Sequence, residues 1–171
     1  MKLMRTFIVI FFVSLFFVAH SKGDLIDDMC KKTIDDKLCV NSLRADLRSS
    51  SADKKGLAHI MLQLSLARAN DIYNQTLVLM KQPMEPILKQ CIQICRDNYY
   101  ITVSQLISSI KYLDENDLDM TKSDAGAAIT CTVTCEESFT EWHPIRKDPL
   151  KKENDDFFHF NDMLLSLLNL V

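Results

Sequence analysis

The segment from Cys91 to Phe139 constrains the fold more than any other. It carries four of the chain's six cysteines as two Cys-x-x-x-Cys pairs, Cys91/Cys95 and Cys131/Cys135. In its first half, Ile92, Cys95, Tyr99, Val103, Leu106, Ile110 and Leu113 recur at steps of three and four, which places them on one face of a helix. Ala125, Ala128, Thr132, Cys135 and Phe139 do the same in the second half. The acidic run Asp114 to Asp119 interrupts both patterns and reads as a loop. Two helices joined by a short loop pack as antiparallel neighbours. The segment is therefore expected to be a disulfide-bonded helical hairpin, with the rest of the chain packed against it.

Geometry limits the pairing of its cysteines. With Cys95 opposite Cys135 in an antiparallel pair, four steps back along each helix move in opposite directions, so Cys91 and Cys131 lie roughly 12 Å apart along the axis. A disulfide needs Cα atoms within about 7 Å. Cys91–Cys131 and Cys95–Cys135 cannot form together, whereas the crossed bridges Cys91–Cys135 and Cys95–Cys131 share one register and can.

Residues 1–21 have a basic start (Lys2, Arg5), a short apolar run from Phe7 to Ala19, and a small-x-small site at Ala19-His20-Ser21. This is the pattern of a secretory signal peptide. The remaining stretch, 22–171, is about the size of one domain with a single core. No later stretch is apolar enough for a membrane span, so the mature form is expected to be exported without membrane contact. In an exported chain, six cysteines favour disulfides over metal. Neither a metal nor another cofactor is expected. A net charge of −3 and the lack of a basic aromatic stripe argue against nucleic acid. Three glycines in the whole chain suit helices and not sheets.

Before the hairpin, Cys30 and Cys39 stand nine residues apart with no other cysteine nearby, and are expected to close a small N-terminal helical hairpin. Ser50 and Asp53 are spaced as a capping box, followed by an apolar stripe through Leu57, Ile60, Met61, Leu64, Ala67, Ile72, Leu79 and Met80. Its methionines are expected in the core. Asn74-Gln75-Thr76 is an N-glycosylation sequon. Pro83 and Pro86 separate this helix from the next, and Thr121 and Asp124 are spaced as a second capping box. After a loop at 142–149, a last helix turns Phe157, Phe160, Leu164, Leu167 and Leu168 inward. The predicted architecture is all-α: an up-down-up-down four-helix bundle over about 52–81, 86–113, 121–141 and 152–170, preceded by the short disulfide-closed hairpin.

Nothing in the sequence carries a catalytic signature. His59, His143 and His159 sit in no nucleophile motif, and Gly-x-Ser-x-Gly, His-Glu-x-x-His and glycine-rich phosphate loops are absent.

Several stretches together resemble the plant invertase and pectin methylesterase inhibitor family. Cys30 to Cys39 resembles its first cysteine pair, including the spacing of nine. Ser51 to Ala58 resembles the entry to its first bundle helix, and Cys95-Arg96-Asp97-Asn98-Tyr99 its Cys-x-Glu-Asn-Tyr segment. Ala127-Ala128 and Thr134-Cys135-Glu136-Glu137-Ser138-Phe139 resemble its Ser-Ala-Ala and Thr-Cys-Glu-Asp-x-Phe segments, and Asn161 to Leu164 its final helix. The resemblance implies a four-helix bundle behind a helical hairpin, and a non-enzymatic inhibitor that blocks the cleft of pectin methylesterase or acid invertase in the cell wall or vacuole. It also implies that Cys95–Cys135 is the bundle disulfide, which leaves Cys91 and Cys131 as additions. Free thiols are uncommon in exported proteins, so the crossed pairing stays the favoured expectation, with Cys95–Cys135 plus two thiols as the alternative. Tyr99-Tyr100-Ile101-Thr102 replaces the family's Tyr-x-Asp-Ala, Asn161 replaces a frequent cysteine, and the Pro-Lys-Phe of some invertase inhibitors is absent near Leu118.

The resulting expectation is a secreted, monomeric inhibitor of one of these two enzymes. By resemblance, Thr134 and Glu137 are its contact residues, on the outer face of the central hairpin, and Asn74 is its glycan acceptor. A structural or storage bundle without inhibitory activity is the main rival. A small-ligand carrier is the second, and it would need an internal cavity.

Overall fold

The computed structural model describes residues 25–171; the expected signal peptide at 1–21 lies outside them. Residues 25–30 are helical, followed by α1 (Asp36–Arg44), a 3-10 turn (Leu47–Ser51), α2 (Lys54–Leu79), α3 (Pro86–Asp114), α4 (Leu118–Glu137) and α5 (Lys151–Leu168). Each of the four long helices packs on its two sequence or ring neighbours, α2 on α3, α3 on α4, α4 on α5 and α5 back on α2. That closes the up-down-up-down bundle expected from the apolar periodicities.

Carboxylates start four helices. The side chains of Asp35, Asp53, Glu85 and Asp117 accept from Leu38 N, Gly56 N, Leu88 N and Met120 N, satisfying amides that have no partner inside the helix. Neither expected capping box forms. Ser50 lies in the 3-10 turn with its Oγ donating to Leu47 O, and Asp53 itself is the cap. Thr121 is buried inside α4, where its Oγ1 donates to Asp117 O. The acidic loop is also shorter than expected. Helix α3 runs through Asp114 and α4 begins at Leu118, leaving residues 115–117 as the connection. Asn116 takes φ 62, Asn116 N bonds Leu113 O and Asp117 N bonds Tyr112 O. This is a Schellman closure with asparagine at the left-handed position. Lys55 of α2 reaches across to donate to Asp114 O (3.1 Å) and Asn116 Oδ1 (2.8 Å).

The core is filled by Leu57, Met61, Leu62, Tyr99, Leu106, Leu113, Phe139, Phe157 and Phe160. In α5, Phe157, Phe160, Leu164, Leu167 and Leu168 are all buried, as the stripe predicted. Two polar inclusions sit among them. Tyr99 Oη donates to Asn154 Oδ1 (2.7 Å), while Asn154 Nδ2 donates to Asp148 Oδ2 (3.2 Å). Ser65 Oγ donates to Asn161 Oδ1 (2.6 Å), and Asn161 Nδ2 to Phe157 O (2.8 Å).

Cys30–Cys39 closes the N-terminal hairpin with Cα atoms 5.4 Å apart. Arg44 holds Asp27 through both carboxylate oxygens (2.7 and 2.8 Å), and His159 of α5 pairs with Asp35 (3.0 Å) to dock this hairpin on the bundle. The bundle disulfide is Cys95–Cys135, with Cα atoms 4.4 Å apart, and Cys91 and Cys131 are thiols. The crossed pairing is therefore not formed. The reason is register: Ser109 Oγ donates to Thr121 O at 2.8 Å, and these two residues face each other in the same register as Cys95 and Cys135. The crossed bridges would require α3 to slide about 6 Å along α4. At the observed register Cys91 instead meets Ser138, its Sγ 3.1 Å from Ser138 O. Cys131 lies 3.8 Å from Gln105 Oε1.

Candidate protein-binding face

Helix α4 presents Thr134 and Glu137 to solvent on either side of Cys135, which is fully buried. The Cys95–Cys135 bridge and the surrounding core fix the backbone that carries both. At this register Thr134 lies level with Arg96 and Glu137 level with Gln93 of α3, and both expected contact residues are exposed. Thr134 Oγ1 donates to Thr130 O (3.1 Å), so it offers lone pairs outward and not a proton. The Glu137 carboxylate has no hydrogen-bond or ionic partner among the described residues. Its neighbour Glu136 is tied to Lys151 of α5 (2.6 Å), which, together with Asp155, holds the Lys151 ammonium well above its usual range.

Asp97 was not singled out from the sequence, yet it lies exposed on α3 at the same level as Thr134. Arg96 donates to it from Nε (2.9 Å) and Nη2 (2.6 Å). Its place in the Cys-x-x-Asn-Tyr context was the available signal. The edge of the face is braced by Arg146, whose Nε and Nη2 grip both oxygens of Glu85 at 3.0 Å. Its backbone N also bonds Phe139 O (2.9 Å). That clasp joins the loop after α4 to the first turn of α3 and lowers the Glu85 carboxyl to about 2, chiefly through the Arg146 hydrogen bonds.

The two thiols are poor nucleophiles where they sit, because burial pushes both Cys91 and Cys131 up from the ordinary thiol range. Among the described residues no group of three His, Cys, Asp or Glu side chains is placed to hold a metal, and no helix is long and apolar enough to cross a membrane. Asn74 of the sequon is exposed on α2, while the Thr76 side chain is buried and donates to Tyr73 O (2.6 Å). His59 faces Asp114 at 3.5 Å, and His143 is exposed in the loop after α4. A rigid exposed face with an unpaired carboxylate and outward acceptors, beside a filled core, suits recognition of a macromolecule better than chemistry on a small one.

Comparison with known proteins agrees with this arrangement. The family model described as plant invertase/pectin methylesterase inhibitor matches residues 24–167. A pectinesterase inhibitor of Actinidia deliciosa is 31% identical over 88% of this chain and 81% of its own length. A putative invertase inhibitor of Platanus orientalis is 28% identical over 94% of this chain and 96% of its own. A crystal structure of a mutant pectin methylesterase inhibitor from Arabidopsis superposes with a TM-score of 0.70 at 18% identity, covering 83% of this chain and 93% of that one, which speaks for the fold. With the bundle, its N-terminal hairpin and both disulfides in place, the chain belongs to the plant invertase/pectin methylesterase inhibitor family.

Proposed function

We propose that this protein is an exported, stoichiometric inhibitor of pectin methylesterase or acid invertase, acting by occlusion of the enzyme's cleft with the outer face of α3 and α4. The observation that carries the reading is the family match over nearly all of residues 25–171, together with relatives of both inhibitor types. The face around Thr134 and Glu137 supports it physically. A surface held by a disulfide and a filled core has little ordering entropy left to lose on binding. Inhibition by occlusion needs no catalytic group, and none is assembled on this face. The basic and apolar pattern of residues 1–21 supports export, the family resemblance points to the cell wall or vacuole as the destination, and Asn74 is the glycan acceptor on the exposed side of α2.

The test is titration of the purified protein against a pectin methylesterase and an acid invertase at mildly acid pH. A stoichiometric end point with one of them is expected. Absence of inhibition of both would return the protein to the structural-bundle reading.

A further inference from the structure

In the ring of four helices the α2–α5 seam lies opposite the α3–α4 seam, and it is the least closely packed of the four. Two clefts open along it. The larger, of about 570 Å³, lies where the N-terminal hairpin meets the seam, between Asp35 and Leu38 of that hairpin, Arg68 of α2 and Phe160 of α5. The smaller, of about 210 Å³, runs between α2 and α5 and is lined on its apolar side by Ile72 and Phe157. Arg68 and Asp156 line both, so the two clefts adjoin.

Arg68 is unlike the other arginines of the described residues. Arg44, Arg48, Arg96 and Arg146 each donate to a carboxylate. Arg68 is half-buried, with its guanidinium 3.8 Å over the Phe160 ring. Its one hydrogen bond is a long one, from Nη1 to Leu64 O (3.4 Å), so most of its N–H groups have no partner among the described residues. Burial pulls its pKa below the usual arginine range, against the nearby charges of Asp156 and Asp71. The carboxylates around it fall into two sets. In the larger cleft, Asp35 pairs with His159 (3.0 Å), Asp155 with Lys151 (3.0 Å) and Asp156 with Lys152. Asp71 and Glu153 line the smaller cleft and have no hydrogen-bond or ionic partner among the described residues. Arg68 therefore lacks an acceptor on the same seam where Asp71 and Glu153 lack donors. A simple anion on Arg68 would meet those two free carboxylates, a simple cation on them would meet Arg68, and an uncharged sugar would neutralise neither.

We infer that this seam is a binding site for a small zwitterion, an α-amino acid with an apolar side chain. Its carboxylate takes the Arg68 guanidinium, its ammonium takes Asp71 and Glu153, and its side chain lies against Ile72 and Phe157. Arg68 and Asp71 stand three residues apart on α2, which sets their Cβ atoms about 5–6 Å apart. An α-amino acid carries both charges on one carbon and so spans that short distance. A guanidinium fork holds a carboxylate through two parallel hydrogen bonds. Clefts between the helices of a bundle, with apolar lining and a few polar groups, are where small ligands sit. The site is independent of the inhibitor reading, because it lies across the bundle from α3 and α4.

The experiment is titration of the purified protein with leucine, followed by amide chemical shifts, with N-acetylleucine, leucine methyl ester and glucose as comparison ligands. Leucine is expected to bind with a Kd on the order of 1 mM, as a small ligand in an open cleft, and to move amides of α2 and α5 around Arg68 and Glu153. N-acetylleucine lacks the ammonium and the methyl ester lacks the carboxylate, so each should bind at least about tenfold more weakly. The same loss of leucine affinity is expected in Asp71→Asn, an exposed position where folding should hold, and in Arg68→Lys, which keeps the charge but not the fork. Wild type that shows no shifts at about twenty times the expected Kd overturns the inference. So does N-acetylleucine binding as tightly as leucine, which would make the seam an anion site, or glucose binding in leucine's place, which would make it a polyol site. Leucine binding that survives unchanged in both variants puts the ligand elsewhere and overturns it too.

Discussion

Glu136 and Glu137 are adjacent, and one residue turns the helix by about 100°. That rotation sends Glu136 to Lys151 of α5 and Glu137 to open solvent. Only an ion pair to a distant helix distinguishes them, so no local pattern could have separated a packing carboxylate from a free one. Glu137→Lys is predicted to weaken inhibition by at least about tenfold, because removing one partner of a buried charged hydrogen bond at an interface costs about 2–5 kcal/mol. The position is exposed, so the melting temperature should hold; equal inhibition by the variant would remove Glu137 from the contact. Asn154 is the opposite case, fully buried between Tyr99 Oη and Asp148. Asn154→Ala leaves the Tyr99 hydroxyl and half-buried Asp148 without this partner, and should destabilise by about 1–3 kcal/mol in urea unfolding. Burial holds the Asp148 carboxyl above its ordinary range. Asp148 therefore weakens the native state as pH rises through its folded pKa.

At the level of elements, α2 and α5 were legible because their apolar residues keep a helical period, and α3 because Pro86 starts it. The α3–α4 connection was less so. Five acidic or polar residues around a single leucine read as loop, but Asn116 alone needs the left-handed conformation, and the Lys55 donation to Asp114 O stabilises the end of α3 from a helix almost sixty residues away. The Glu85–Arg146 clasp was invisible for the same reason: its two residues lie 61 apart. It carries a pH prediction. The folded pKa of Glu85 is lowered from 4.5 to about 2, so its contribution is complete above pH 4.5 and is lost as pH falls through about 2. The melting-temperature gap between wild type and Glu85→Gln should stay constant at cell-wall pH and above, and should close progressively between pH 4.5 and 2. A gap independent of pH over that range would show that the clasp does not bind the ionised form.

For the whole molecule, bundle and topology follow from period, loop length and the first cysteine pair, whereas the register of α3 against α4 does not. Two registers differing by one helical turn satisfy the same apolar stripes, because residues four apart share a face. The rarity of exported thiols favours the crossed pairing but says nothing about packing. In the structure the Ser109–Thr121 hydrogen bond and the seating of Cys91 against Ser138 O fix the other register. The consequence is countable. Denatured, unreduced protein should titrate two thiols per chain, Cys91 and Cys131, and peptide mapping should join the Cys95 and Cys135 peptides. Removing that bridge in Cys95→Ala/Cys135→Ala should cost about 4 kcal/mol in the chain-entropy account for a loop of this span. Replacing both thiols in Cys91→Ala/Cys131→Ala should leave the mapped bridges unchanged and lower stability only by the volume removed. Finding no titratable thiol, with Cys91 joined to Cys135 and Cys95 to Cys131, would mean that α3 and α4 pack one turn away. Thr134 would then no longer stand level with Asp97, and the face built on that alignment would have to be redrawn.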